Sequence, residues 1–492
     1  MKRRSVYKIL GVAIVVFWLI VLGELVRKSH FSPNKADLTH DPREHSQLRG
    51  SEQWMEIFLK GRKVGYSVTR ATKIKEELEV TEEIFLALNL MGSVQRIASC
   101  TRAIVDEKFL LKRFDFSISS GSIGFKASGQ IEGNNLSLKV GGPGGEEVGV
   151  IRLPEKPMMS AGLTQYLRTR SFRVGEEFSV PLFDPVSMTT TPATVRVVGT
   201  EKLRVQGESY EALRLEMKFL GRPLVLWLDE EGVALKEQGL MGFTLVRSNP
   251  IKAPAGLDEL EKHDFYDLAA IRTKEKLKNP RKLSYLKVQF NNVPPSLPAD
   301  GLRQSLTGTI LSVERERPPF GASYVIPYRG DDGRLVHYLM PELLIQAADE
   351  EIVKLANEIV GGVTDPFVAS KMILGWVFEN IEKVPVVSVP DAKAILEHRK
   401  GDCNEHATLV AALLRAIGIP ARIVVGLVFK DERFYYHAWN EVYLDRWVSL
   451  DAVLNQMPTD ATHIKLINGG IENQIQLVGI MGTLTLKVLD YR

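Results

Sequence analysis

The stretch GDCNEHATLVAALLRAIGIPARIVVG, residues 401–426, decides how the C-terminal half of this 492-residue chain folds. Asp402 follows a glycine and is a good N-cap, and a Gly-x-Pro sequence stops the predicted helix after its apolar positions. Those positions recur at helical spacing: Leu409, Val410, Leu413, Leu414 and Ile417. Cys403, one of only two cysteines, therefore lies in the first turn of a buried helix.

The position of this cysteine favours a reactive thiolate. Free backbone N–H groups and the positive end of the helix dipole surround a residue in the first turn. We therefore predict a lowered pKa for Cys403 and faster alkylation than for Cys100. We interpret Cys100 as an inert core thiol.

Three strand-like segments follow the helix: ARIVVGLVF, YYHAWNEVYL and RWVSLD. Period-two spacing puts His437 and Trp439 on one face of the middle segment, and Asp451 ends the last one. Cysteine, histidine and aspartate are the residue types that nucleophilic catalysis requires. The thiolate attacks, the imidazole acts as base and then acid, and the carboxylate orients the imidazole.

The turn between the last two segments decides which face Asp451 occupies. A two-residue loop would put Asp451 on the face opposite His437, because a slip of one residue reverses every side chain. A three-residue loop over residues 444–446 pairs Tyr443 with Trp447 and brings Asp451 diagonal to His437. We predict the three-residue loop.

GDCNEHATLVAALLRAIGIPARIVVG, HAWNEV and W-x-x-L-D together resemble the transglutaminase-like superfamily, whose core is related to papain-like cysteine proteases. The resemblance is close over residues 401–451. It implies that Cys403 is the nucleophile, His437 the base and Asp451 the orienting acid. It further implies an enzyme that forms a thioester at an amide or peptide bond, and we expect hydrolysis over transfer to an amine. The alternative is a non-catalytic binding or structural module of the cell envelope.

Other residues near these motifs are candidates for binding and positioning. Trp439 and Tyr436 are predicted to line the substrate groove, although packing is an equal alternative. Glu405 and His406 are expected to form hydrogen bonds with the loops around the site. The Cys403 N–H is the expected first donor of an oxyanion hole. We predict no metal and no cofactor. The alternative is a zinc site with Cys403, His406, His437 and His463 as ligands, but the spacing of these residues supports it only weakly.

Hydrophobic pattern and charge divide the chain into several regions, and we predict an α+β fold overall. Residues 51–250 read as short alternating strands, either a sandwich or a curved sheet, to which no function can be assigned. Residues 251–283 are a charged connector. Residues 284–492 form the transglutaminase-like domain, with its core at about 350–455 and a helix followed by antiparallel strands.

The N-terminus predicts a membrane anchor. Residues 1–28 combine a basic stub with an apolar run that crosses the membrane through residues 7–26, and polar residues 29–50 form a tether. No small-x-small cleavage site follows, so we favour an anchor over a cleaved signal peptide. The prediction is a single pass of the inner (cell) membrane, with the N-terminus cytoplasmic and the bulk extracytoplasmic or periplasmic.

Charge and cysteine content limit the partners. A net charge of +3 gives no basic surface for nucleic acid, and two cysteines cannot build a disulfide framework. The expected partner is therefore a protein or peptide substrate, with cell-wall peptide as one possibility.

Overall fold

The computed structural model describes residues 51–492 except 91–92, 122, 143–144, 220–221, 240–241, 258–269, 295–296, 300–301, 319, 387–388, 471–476 and 478–483. The helices are α1 (Ser160–Thr169), α2 (Gly333–Val336), α3 (Glu350–Val360), α4 (Pro366–Asn380), α5 (Ala392–His398) and α6 (Cys403–Ala416).

The first fourteen strands are β1 (Ser51–Leu59), β2 (Arg62–Ile74), β3 (Glu77–Leu90), β4 (Ser93–Val105), β5 (Leu111–Ser120), β6 (Ile123–Glu132), β7 (Asn135–Gly142), β8 (Gly145–Arg152), β9 (Glu177–Asp184), β10 (Thr189–Val205), β11 (Glu208–Phe219), β12 (Arg222–Leu228), β13 (Ala234–Gln238) and β14 (Phe243–Ser248). The others are β15 (Ile271–Arg272), β16 (Tyr285–Phe290), β17 (Gln304–Thr307), β18 (Ile310–Glu314), β19 (Glu382–Lys383), β20 (Lys400–Gly401), β21 (Ala421–Lys430), β22 (Arg433–Tyr443), β23 (Trp447–Leu450), β24 (Ile464–Asn468) and β25 (Leu486–Tyr491).

Strands β1 to β14 form one antiparallel sheet in the order β8-β7-β6-β5-β4-β3-β2-β1-β14-β13-β12-β11-β10-β9. Phe114 on β5 contacts Phe183 on β9 with ring centroids 5.3 Å apart, although these strands are far apart in the sheet order. The sheet therefore curls around a shared apolar core, against which α1 also packs. A β-rich region is confirmed, and it is a curved sheet.

The C-terminal half contains a second sheet in the order β15-β22-β21-β24, with β23 also paired to β22. Helix α6 packs on β21 and β22 and is in turn contacted by α3, α4 and α5. Strands β17-β18-β16-β25 form a smaller sheet that shares the same core. The predicted α+β region, a helix followed by antiparallel strands, is confirmed.

Local signals place the helices that support α6. Asp365 caps α4 by accepting hydrogen bonds from the N–H groups of Phe367 and Val368, at 2.8 and 3.0 Å. Gly361 ends α3 in the left-handed conformation, with φ 56°. Capping residues of these types satisfy backbone groups that a helix end leaves unpaired.

The predicted anchor through residues 7–26 and the predicted tether at 29–50 fall outside the part of the chain that the structure describes, whereas part of the predicted connector falls within it. Among the helices that the structure does describe, none is long and apolar enough to span a bilayer. In the connector, Ile271 pairs with Phe434 of β22, so this part of residues 251–283 adds a strand to the C-terminal sheet.

Candidate active site

The start of α6 is fixed by a capping box. Asp402 accepts a hydrogen bond from the Asn404 N–H at 2.9 Å, and the Glu405 carboxylate accepts one from the Asp402 N–H at 2.9 Å. Residue 401 must be glycine, because a Cβ there would lie 2.3 Å from the Cβ of Glu405. These local contacts hold Cys403 as the first residue of the helix.

The β22–β23 register brings the other two predicted catalytic residues together. Tyr443 pairs with Trp447, which confirms the three-residue loop, and Asp451 follows directly after β23. The Nε2 atom of His437 lies 2.8 Å from Oδ2 of Asp451. This contact leaves Nδ1 as the ring nitrogen of His437 that is available for proton transfer with a thiol.

Cys403 lies near this pair, since Cys403 and His437 line the same cleft. Along one edge of β22, β15 pairs at Arg433 and Phe434, and β23 pairs from Asn440 to Tyr443. The Ala438 N–H, next to His437 in the chain, donates a hydrogen bond to the sulfur. Cys403 and His437 thus line the same cleft and His437 contacts Asp451, while the catalytic roles of the three residues stay predictions.

The prediction of a lowered pKa for Cys403 is wrong. Burial of the thiol and the negative charge of Asp402 raise its pKa well above the usual value; the Ala438 N–H opposes this, while Glu405 and Asp451 add to it. The capping box that positions the cysteine also brings the carboxylates of Asp402 and Glu405 close to it, and these add to burial in favouring the neutral thiol. Chemically, the group at rest is a neutral thiol that needs a base.

The carboxylate of Asp451 is buried and fully engaged. Its Oδ1 accepts hydrogen bonds from the N–H groups of Val453 and Leu454, at 2.7 and 3.2 Å. Burial by itself would raise its pKa, but His437 and His463 hold the pKa of Asp451 far below its usual range. Asp451 is therefore ionised and can stabilise a positive imidazole.

Sequence reasoning missed the role of His463 in this cluster. Its side chain is completely buried, and its Nε2 lies 3.0 Å from the same Oδ2 of Asp451 that His437 contacts. Its Nδ1 lies 3.5 Å from Oδ1 of Asp460. Asp460 in turn pairs with Arg281 at 2.9 Å. The short Asp-x-x-His spacing was the available signal.

The cluster is built by hydrogen bonds and has no geometry that requires a metal. Ligand atoms of His437, Asp451 and His463 lie within 4.8 Å of one another. A metal ion at that point would replace both Nε2 contacts with Oδ2, at 2.8 and 3.0 Å. Among the described residues, neither Cys403 nor His406 belongs to this group.

A cleft of about 480 Å³ opens beside the cysteine and the histidine. Its polar lining includes the cationic residues Arg281, Lys383 and Lys430 and the acidic residues Asp402 and Asp431. Its apolar lining consists of Val384, Pro385, Val428, Phe429, Tyr435, Tyr436, Val453 and Leu454. Tyr436 thus lies where a substrate contact is possible, and its role in binding stays a prediction.

The structure contradicts the predicted substrate contact of Trp439. Its side chain is only 1% exposed and is not part of the cleft lining. Its ring packs against His437, with centroids 6.2 Å apart, and edge-on against His463 at 5.2 Å. Trp439 is a packing residue that limits how the two imidazoles can turn.

Three further polar residues are accounted for. His406 contacts the Asp402 carbonyl through Nδ1 at 2.6 Å, so both Glu405 and His406 bond to the loop before α6, as predicted. Glu441 is buried and holds Arg422 at 2.6 Å and Lys465 at 2.8 Å. Both oxygens of Glu441 are used, so it offers no site for a cationic amine.

Residues 353–452, from α3 to just beyond Asp451, match the family model of the transglutaminase-like superfamily. This segment is transglutaminase-like. The match includes Cys403, His437 and Asp451. A search of the curated proteins found no significant match.

Solved structures resemble the chain only distantly. A candidate cysteine protease from Cytophaga hutchinsonii is 19% identical with a TM-score of 0.29, over 43% of this chain and 87% of that one. A candidate protease from Parabacteroides distasonis is 11% identical with a TM-score of 0.20, over 67% and 64%. A DUF1089 family protein from Pseudomonas aeruginosa is 11% identical with a TM-score of 0.21, over 34% and 87%. These likenesses assign no activity.

Proposed function

We propose that the protein is a cysteine-dependent enzyme that cleaves an amide or peptide bond through a thioester. The observation that carries this proposal is the buried contact of 2.8 Å between His437 and Asp451, beside a sulfur that opens on a cleft. A buried, oriented imidazole next to a thiol is the arrangement that general-base activation of a nucleophile needs.

The chemistry follows from the protonation states. As the sulfur of Cys403 attacks the carbonyl carbon, its proton passes to Nδ1 of His437, and Asp451 stabilises the imidazolium. The Cys403 N–H, at the start of α6, would bind the developing oxyanion. His437 then gives the proton to the leaving amine and a thioester remains. A water molecule, deprotonated by His437, hydrolyses the thioester, which releases the acid and regenerates the thiol.

The cleft lining favours water over a primary amine as the acceptor. Three cations and two carboxylates line the cleft, and one of the carboxylates, Asp402, caps α6. A primary amine is itself a cation near neutral pH. Transfer requires the enzyme to bind that amine in a reactive orientation, and Glu441 cannot hold it because Arg422 and Lys465 occupy its oxygens.

The test is to supply the full-length chain with glutaminyl and peptide donors together with a labelled primary amine. We expect free acid to exceed amine adduct, and Cys403→Ala to abolish both products, while Cys100→Ala, the matched control, retains them. More adduct than acid would reverse the choice of acceptor. Absence of both products, with an unreactive Cys403 towards acylating donors, would favour the non-catalytic binding or structural module.

We further propose that the substrate is a protein or peptide, including cell-wall peptide, and that the enzyme encounters it outside the cytoplasm. The proposed location rests on the apolar run in residues 7–26 and on the basic residues before it. A reporter fused after Arg492 is expected to be active only in an extracytoplasmic assay. Reporter activity in the cytoplasm would contradict this location, and a mature N-terminus near Ser29 would replace the anchor by a cleaved signal peptide.

A further inference from the structure

Two imidazoles share one carboxylate oxygen behind the cysteine. Oδ2 of Asp451 lies 2.8 Å from Nε2 of His437 and 3.0 Å from Nε2 of His463. The second imidazole is completely buried and does not line the cleft. A residue in this place cannot touch a substrate, so any effect it has on the reaction passes through Asp451.

The far side of His463 faces a second carboxylate. Oδ1 of Asp460 lies 3.5 Å from Nδ1 of His463 and also accepts hydrogen bonds from Thr462, through N–H at 2.8 Å and Oγ1 at 2.5 Å. Oδ2 of Asp460 pairs with Arg281 at 2.9 Å. The imidazole therefore has one carboxylate at each nitrogen, an arrangement that suits an imidazolium with two N–H donors.

The other charged groups near His463 are already neutralised in pairs. Arg303, which approaches the His463 carbonyl at 3.4 Å, is paired with Glu316. Lys465, two residues along β24, is paired with Glu441 at 2.8 Å. The remaining charged contacts join Asp451, Asp460, His463 and Arg281, of which only Arg281 is partly exposed. With His437 neutral, the charges of these four groups sum to zero only if His463 is protonated. A buried uncompensated charge is costly.

We propose that His463 is a positioning residue, an imidazolium that holds Asp451 jointly with His437 and thereby sets the resting protonation of the Cys403–His437 pair. A positive charge on the far side of Asp451 reduces the attraction of that carboxylate for a proton on His437. The neutral thiol–imidazole pair is then favoured over the thiolate–imidazolium pair. This inference rests on the proposed function only in taking Cys403 and His437 as the reacting pair.

The sign of the effect can be predicted for a variant without the charge. His463→Gln keeps an N–H donor towards Asp451 but has no positive charge. The rings of His437 and His463 are 6.0 Å apart, so loss of the positive charge removes its repulsion of a proton on His437. His437 is hydrogen-bonded to Asp451, whereas Asp451 acts on Cys403 only at longer range, so the thiolate–imidazolium pair gains population.

The experiment is the pH dependence of iodoacetamide alkylation in the full-length chain, with the two cysteines separated by mass spectrometry. We expect His463→Gln to raise the alkylation rate of Cys403 at pH 6–7 roughly three- to tenfold, as a new plateau below the main rise. Asp460→Asn leaves the imidazole of His463 in place and removes the carboxylate that favours its positive charge, so we expect this variant also to raise the alkylation rate of Cys403. His337→Gln, at an exposed histidine, is the matched control and leaves the profile unchanged.

The outcomes separate charge from structure. Unchanged or slower alkylation of Cys403 in both variants would overturn the proposal. Alkylation of Cys100 rising together with Cys403 in His463→Gln would indicate unfolding, and an unchanged profile in Asp460→Asn would then overturn it. A wild-type profile altered by EDTA would assign the cluster to a metal and also overturn it. Because alkylation needs no substrate, these results are independent of whether amide cleavage is found.

Discussion

Tyr443 pairs with Trp447 across the turn between β22 and β23. Three residues, 444–446, lie between them, and this register carries Asp451 to the face of β22 on which His437 lies. A register shifted by one residue would reverse the side chains of β23. One turn therefore decides whether the imidazole has a carboxylate beside it.

The first prediction concerns the resting state of the nucleophile. Because burial and Asp402 raise the pKa of Cys403, we expect its alkylation by iodoacetamide to have a midpoint above the ordinary thiol value of about 8.5. The measurement uses Cys100→Ala, so that only one thiol is labelled. A midpoint below about pH 8 would restore the thiolate that the helix start alone suggests.

The second prediction is a window of pH for stability. The pKa values of Asp451 and Asp460 are lowered, so their contribution is complete above about pH 4 and is lost as the pH falls towards their folded-state pKa values. Although burial opposes it, the pKa of His463 is raised by Asp460 and Asp451, so its contribution is complete below about pH 6.5 and is lost as the pH rises through its folded-state pKa.

The cluster therefore stabilises the domain most between about pH 4 and 6.5. Urea unfolding of the wild type and of His463→Gln, measured from pH 5 to 9, checks this window. The difference in midpoint between the two proteins is expected to shrink as the pH rises. A difference that does not depend on pH would show that His463 contributes only by packing.

The third prediction concerns the buried ions beside the site. Glu441→Gln leaves Arg422 and Lys465 without their shared carboxylate, and we expect a loss of about 3–5 kcal/mol in the free energy of unfolding. Lys465→Met leaves Glu441 paired with Arg422 and should cost less. Equal losses for the two variants in chemical denaturation would contradict the assignment of Glu441 as the shared partner.

The fourth prediction tests the helix start. In Gly401→Ala the new Cβ would lie 2.3 Å from the Glu405 Cβ, so the capping box is disrupted. We expect the free energy of unfolding to fall by at least about 1–2 kcal/mol and the activity to decrease. Gly375→Ala in α4, where a Cβ meets nothing within 4 Å, is the control and is expected to stabilise by about 0.5–1 kcal/mol. Thermal unfolding of both variants tests this prediction, and a Gly401→Ala protein as stable as the wild type would refute it.

Features that depend on neighbouring residues could be predicted from the sequence. Capping at Asp402 and Asp365 follows from short-range hydrogen bonds, so the starts of α6 and α4 were predictable. The period of two and the length of one turn determined the register that brings His437 to Asp451. These interactions act within a few residues and leave a direct pattern in the chain.

The electrostatics of the site and the curvature of the large sheet could not be predicted from the sequence, because both arise when distant segments pack together. The pKa of Cys403 depends on burial, which no local pattern measures. Arg281 reaches Asp460 from a distant part of the chain, and Asp460 in turn faces His463. Trp439 is on the same face of β22 as His437, as the period of two predicts, but its side chain is buried against the imidazole and does not face the cleft. Coulombic and desolvation effects depend on distances in space, and folding alone sets these for residues far apart in sequence.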